Sequence, residues 1–264
     1  MGKKVLLIGN AGIIITIALV FLGFGMAVRT GQYDLLVLAV RWPKSYCTNR
    51  YLNAKCDEPI HDDFSIHGLW PEYFISDGKD TDAVPPYSEN KGCTDVAPVS
   101  KDNLKKKLLK MAKVLKEMRK YWSDAVHPTN DNSNFENWEY QWDKHGMCFN
   151  DSDQPQFYFQ TAIVLLKSLN LLHTLSQAKP KIVPTDAKGY NGSAIQSTIE
   201  ESLKVEPTIV CNEDKRLRLQ LFEVHICHDR NLTLISCKKP FKHCPGLSSR
   251  LLRFPPAAAA TTAA

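Results

Sequence analysis

The sequence predicts an α+β fold, a central antiparallel β-sheet flanked by several helices and stapled by disulfides. Three observations lead there. Short β-rich runs and longer runs of helical period share the chain without strict strand–helix alternation, which argues against a parallel βαβ design. No internal repeat or linker divides residues 28–254, so they read as one domain. Eight cysteines, Cys47, Cys56, Cys93, Cys148, Cys211, Cys227, Cys237 and Cys244, all follow an N-terminal targeting signal, and an even count in that context reads as disulfides.

That signal occupies residues 1–27. Lys3 and Lys4 form a basic start, an apolar run follows from Ala11 to Val28, and Gly25, Met26 and Ala27 offer a small-residue cleavage site. A membrane anchor is the competing reading, because the run just reaches spanning length. A cleaved signal is the simpler reading, and it predicts a secreted, extracellular protein. The sequons at Asn150, Asn191 and Asn231 fit that route as glycosylation acceptors.

Tyr33 to Trp42 is an apolar, β-rich run and reads as a buried strand ended by Pro43, with a loop to Cys56. Asp77 to Pro98, rich in Asp, Pro, Gly and Ser, reads as surface loop. Ser100 is placed to cap a helix whose Leu104, Leu108, Met111, Leu115 and Met118 recur at three- and four-residue steps. Asp153 and Pro155 open a second helix through Leu175, and Ser193 to Val205 reads as a third. Leu217 to Leu221 alternates as a strand, and the phase slip before Val224 and Ile226 suits a bulge. Leu232 to Cys237 is a further short strand, and residues 255–264 read as a disordered, low-complexity tail.

The formal net charge is +5; removing Lys3 and Lys4 with the signal leaves 31 basic against 28 acidic residues, or +3. That balance is too weak to prove nucleic-acid binding. The lysines on the outer faces of the first helix read first as a solvated surface, with an RNA grip as the alternative. Cys227, His228, Cys237, His243 and Cys244 lack zinc-knuckle spacing and read as disulfide chemistry, so neither a metal nor a cofactor is expected.

The chemistry concentrates in HGLWPEY, His67 to Tyr73, and WEYQWDKHGMC, Trp138 to Cys148. Each run sets one imidazole among tryptophans, and Lys144 stands beside the second. Two histidines and one cation suffice to cleave RNA without a metal. One imidazole takes the 2′-hydroxyl proton, the other protonates the departing 5′-oxygen, and the cation holds the transition-state charge.

These runs resemble the two active-site segments of the ribonuclease T2 family, usually written FTIHGLWP and FWxHEWxKHGTC. Here they stand as FSIHGLWP and NWEYQWDKHGMC, and the likeness extends from RWPKSYC to LFEVHICHDRNLTLISC. The resemblance implies an α+β ribonuclease in which His67 is the general acid, His145 the general base, and Lys144 the stabiliser of phosphoryl charge. It also implies four disulfides: Cys47 with Cys56, Cys93 with Cys148, Cys211 with Cys244, and Cys227 with Cys237. Substrate contacts carried over in the same way fall on Arg41, Trp70, Ala125, Val126, Trp138 and Tyr140; Trp142 reads as core.

The chain departs from the pattern at Asn137, Tyr140, Gln141 and Met147. Tyr140 stands where many members have His, and so brings no positive charge. Gln141 stands where they have Glu; it can still orient a group in the catalytic set but cannot shuttle a proton. Two histidines kept and a third lost resembles the S-ribonucleases of plant self-incompatibility. That resemblance implies a monomer acting on single-stranded RNA, with an F-box-type pollen protein as partner. The alternatives are a general secreted ribonuclease for phosphate recovery or defence, and a non-enzymatic homologue.

Overall fold

A computed structural model of the chain describes residues 31–75, 78–247 and 249–257. The expected signal at 1–27 and most of the expected tail lie outside them. In chain order the elements are β1 (Leu35–Arg41), α1 (Pro43–Cys47), β2 (Ser65–Phe74), β3 (Thr81–Ala83), α2 (Lys101–Leu109), α3 (Ala112–Tyr121), α4 (Asp131–Lys144), α5 (Pro155–Leu169), α6 (Leu171–Gln177), β4 (Thr185–Tyr190), α7 (Gly192–Leu203), β5 (Thr208–Glu213), β6 (Leu219–Asp229), β7 (Leu234–Ile235), β8 (Phe241–Lys242) and β9 (Leu252–Phe254).

The α+β expectation holds. The strands form one sheet in the order β3-β2-β1-β6-β5-β8, with β7 and β9 also on β6, and β4 on β9. Pairing is antiparallel except that β8 runs parallel to β5 and β9 parallel to β6. Every residue of β1 is buried, because the strand is covered on both faces, which is why its sequence is a continuous apolar run. Leu36, Leu38 and Val40 join Ile66, Leu69, Val224 and Ile226 in the main core, where Tyr158 and Phe159 of α5 pack. Leu35 and Val37 point to the opposite face, with Cys227, Cys237 and Trp70. That second face carries the functional groups.

Two bulges re-aim side chains. In β2, Ala39 pairs with Gly68 and Val40 with Ile66, so His67 is the extra residue. The insertion lets Ile66 and Leu69, three positions apart, both enter the core while His67 projects from the other face. In β6 the expected phase slip is present: Val210 pairs with Glu223 and Cys211 with Leu221, leaving Phe222 unopposed.

Several boundaries differ from the sequence reading. The first helix is two: Lys110 and Met111 donate to Lys107 and Leu108, closing α2 with three-residue steps before α3 restarts. The break lets α2 pack on α4 while α3 packs on α5. Ser100 is the N-cap residue of α2 but makes no capping bond; its hydroxyl accepts from Asn103 Nδ2 at 2.9 Å. Asn170, in the left-handed conformation at φ 45°, splits the second expected helix into α5 and α6. Helix α7, expected over Ser193 to Val205, runs from Gly192 to Leu203 and is capped by Asn191. A short helix, α1, begins at Pro43 where a loop was expected, and Thr81–Ala83 pairs with β2 inside the expected surface loop. The tail is fixed at its start, because the Trp42 indole donates to Pro255 O at 2.7 Å and Ala257 is buried.

All four implied disulfides are present. Cys93–Cys148 closes a 55-residue separation, a constraint worth about 4 kcal/mol of unfolded-chain entropy, and it ties down the turn that follows His145. Among the described residues, no helix is long and apolar enough to cross a membrane.

Candidate active site

His67 reaches the site on its bulge, and Trp122 Nε1 donates to its carbonyl at 3.1 Å. Lys144 and His145 arrive at the C-terminal end of α4. Asn130 caps that helix at its start, accepting from Asn132 and Ser133, and Phe135, Trp138 and Trp142 bury one face. The His145 amide donates to Gln141 O at 3.0 Å, which fixes the imidazole at the last turn.

Trp70 packs against both imidazoles. Its ring centroid lies 5.1 Å from His67 and 5.7 Å from His145. Residues distant in sequence thus share one indole as their common wall.

Behind His67 lies a residue that sequence reasoning missed. Glu223 on β6 is buried; its carboxylate accepts from His67 Nδ1 at 2.7 Å and from His225 Nε2 at 2.8 Å. Burial alone would raise its pKa. The charge of His67 and hydrogen bonds from His225 and His67 outweigh that and hold the carboxyl far below the ordinary range. Glu223 therefore stays ionised, holds His67 by Nδ1 and leaves Nε2 as the nitrogen that faces outward. A carboxylate and an imidazole two residues apart in LFEVHIC, on one face of an otherwise apolar strand, were the available signal.

His145 is the electrostatic counterpart. Burial, the charge of His67 and the charge of Lys144, in that order, push its pKa down to about 4. Its imidazole is neutral across the physiological range and able to accept a proton. Its Nδ1 is buried and has no hydrogen-bond partner among the described residues, which makes Nε2 the nitrogen available to a substrate.

The other expected site residues divide. Arg41 lies opposite Glu223 in the sheet register, buried, with its guanidinium 5.2 Å from the Tyr46 ring centroid. Burial lowers its pKa against the opposing pull of Glu223, Tyr46 and Asp124. Ala125 and Val126 are half-buried beside the loop closed by Cys47–Cys56; Ala125 O lies 3.6 Å from Cys47 Sγ, and Val126 O accepts from Asp57 N at 2.8 Å. Tyr140 is 55% exposed, one turn before Lys144 on α4.

Trp138 is corrected: fully buried, edge-on to Phe135 and bonded through Nε1 to Trp122 O, it is core and presents no stacking face. Gln141, expected to orient a group in the catalytic set, is 2% exposed and its Oε1 accepts from Trp70 Nε1 at 3.4 Å; it orients the indole from behind and does not itself face substrate. Trp142 is core, as expected. Of the sequon residues, Asn191 and Asn231 are exposed, whereas Asn150 is half-buried with Oδ1 accepting from the Tyr33 hydroxyl.

Gly68 is the tightest point of the wall. A Cβ there would lie 2.1 Å from Trp70 Nε1 and 2.5 Å from Gln141 Oε1. Gly68→Ala must displace the indole; we expect it to cost about 1–3 kcal/mol of stability, read as a lowered thermal midpoint, and to depress activity further.

Comparison with known proteins identifies the family. The family model described as Ribonuclease T2 family matches residues 33–237. Ribonuclease 1 of Arabidopsis thaliana is 32% identical, covering 81% of this chain and 84% of its own. Ribonuclease S-7 of Nicotiana alata is 26% identical over 91% of this chain and 98% of its own. Among solved structures, RNase NT in complex with 5′-AMP is 29% identical with a TM-score of 0.62, over 85% of this chain and 98% of that one. A Nicotiana alata self-incompatibility-associated SF11-RNase, at 23% identity and TM-score 0.63, shares the fold over 85% of this chain and 100% of its own. The chain belongs to the Ribonuclease T2 family and is an endoribonuclease of that family.

Proposed function

We propose that the chain cleaves single-stranded RNA by transesterification through a 2′,3′-cyclic phosphate. The observation that carries the reading is the pair of imidazoles on one indole, one neutral and one backed by an ionised carboxylate. His145 Nε2 takes the proton from the 2′-hydroxyl, and the 2′-oxygen bonds to phosphorus. The bond from phosphorus to the 5′-oxygen breaks, and His67 Nε2 delivers the proton that oxygen needs. Lys144 meets the charge on the phosphoryl oxygens. Trp70 offers a stacking wall, and Arg41, Ala125, Val126 and Tyr140 are the further substrate contacts.

The reaction as written uses no metal and requires a ribose hydroxyl. The purified mature chain should therefore degrade RNA equally with and without excess chelator and leave DNA of the same sequence intact; loss of activity in chelator, or cleavage of the DNA, contradicts the reading.

The pH profile follows from His145. On the rising limb, kcat/KM for RNA should climb tenfold per pH unit up to about 4, as the free base becomes deprotonated. Tyr140→His adds a titratable cation beside Lys144, and we expect higher activity at acidic pH than in the parent; superimposable pH–rate profiles for the two contradict that role for position 140.

Four disulfides and the signal expected at residues 1–27 support secretion, with glycans on the sequon asparagines. The loss of the third histidine and the near full-length match to Ribonuclease S-7 support a part in self-incompatibility, with a pollen F-box-type partner. The match to Ribonuclease 1 supports a general ribonuclease instead. Transcripts confined to the style favour the first role, and broad expression the second.

A further inference from the structure

Helices α2 and α3 gather more positive charge than the whole chain carries net. Residues 101–120 hold nine Lys and Arg (101, 105, 106, 107, 110, 113, 116, 119 and 120) against Asp102 and Glu117, a local +7 where the chain is +5. The charge is not spread evenly. Leu104 and Leu108 face inward in α2, and Val114, Leu115 and Met118 in α3. Opposite them lie Lys106 and Lys110 at the end of α2 and, past the break, Lys113, Lys116 and Lys120 on α3, all exposed and spaced by three or four residues within each helix, two short rows here called the stripe. Other cations nearby are already engaged: Arg119 pairs with Asp131, and Lys107 donates to Asp153 O; within the stripe, Lys120 stands 4.8 Å over the Tyr121 ring centroid. Among the described residues, no carboxylate lies within salt-bridge distance of the five stripe lysines. Like charges at this spacing oppose the helices they sit on, so the stripe is not explained by stability.

The segment that carries it also touches the framework of the site. The stripe ends at Lys120, two residues before Trp122, whose indole holds the His67 carbonyl. Lys105, beside the stripe, lies 4.7 Å over Phe135 of α4, the helix that delivers Lys144 and His145.

We propose that this stripe is a docking surface for the phosphate backbone of long RNA, outside the cleft, so that long chains are held where a dinucleotide is not. The proposal rests on the RNA-cleaving reading for its ligand, but its test does not require cleavage. Binding of a non-cleavable 2′-O-methyl RNA 20-mer is titrated with salt for the full mature chain. The comparison is a variant carrying Lys106→Gln, Lys110→Gln, Lys113→Gln, Lys116→Gln and Lys120→Gln. Each phosphate contact on a single strand contributes about 0.7 to the log–log salt slope, so the variant should lose about 3 to 4 from it. The double variant Lys110→Gln, Lys113→Gln, a milder change to the helices, should lose about 1.4. Cleavage of a dinucleotide should match the parent in both variants. An unchanged slope overturns the proposal and leaves the lysines as a solvated face, and so does a loss of binding to anionic lipid vesicles with the oligonucleotide slope intact. A parent that binds the 20-mer through the stripe yet cleaves no RNA would instead count against the catalytic reading alone.

Discussion

His145→Ala is expected to lower kcat/KM for RNA by about 10³- to 10⁴-fold, and His67→Ala to do the same. Such losses correspond to about 4–5.5 kcal/mol of transition-state stabilisation per imidazole. Neither variant should unfold the protein. His67 is a third exposed on its bulge, and the core around it is built by Ile66 and Leu69. His145 has a buried Nδ1 with no partner among the described residues, so its removal relieves a desolvated group. The double variant should be little worse than either single one, because a base without its acid completes no turnover. Thermal midpoints near the parent's alongside the lost activity would bear this out; retention of more than a tenth of the parent kcat/KM in either single variant would refute the roles given to the two histidines.

Glu223→Gln is the second large effect. The carboxylate accepts from both His67 and His225, and an amide has one acceptor oxygen for those two donors. One imidazole must turn or change tautomer. We expect kcat to fall on the order of 10²- to 10⁴-fold, with KM changing far less, since Glu223 touches His67 and not the substrate. The pH–rate profile should change as well, because the ionised partner of the general acid is gone; a purely structural role would leave its shape alone. Glu223→Ala is the poorer probe, because stripping a buried charge network of its carboxylate costs about 3–5 kcal/mol and confuses folding with chemistry.

What the sequence made legible follows from how each residue is held. His67, Lys144 and His145 were readable because their runs carry several uncommon residues at fixed spacing, and β1 because a strand covered on both faces is apolar throughout. The strand that carries His67 was not readable. Its bulge puts Ile66 and Leu69 three apart, which breaks the two-residue period at the functional position. Helix α4 was hidden for another reason: its first turn, Asp131-Asn-Ser-Asn, has poor helix propensity, and it is held by the Asn130 cap and by packing of Phe135, Trp138 and Trp142. The same packing decides between the tryptophans, since Trp138 and Trp142 lie one turn apart on the buried face while Trp70 lies on the other side of the sheet. Glu223 needed tertiary structure, because only sheet pairing sets β6 beside β1 and brings His67 across to it.

The most direct test is a DNA oligonucleotide carrying one ribonucleotide, treated with the purified chain in excess chelator, with the new ends read by mass spectrometry. One cut at the 3′ side of the ribose, leaving a 2′,3′-cyclic phosphate that opens slowly to the 3′-phosphate, is the predicted result. Cuts elsewhere in the strand, or a 5′-phosphate at the new end, would contradict the account.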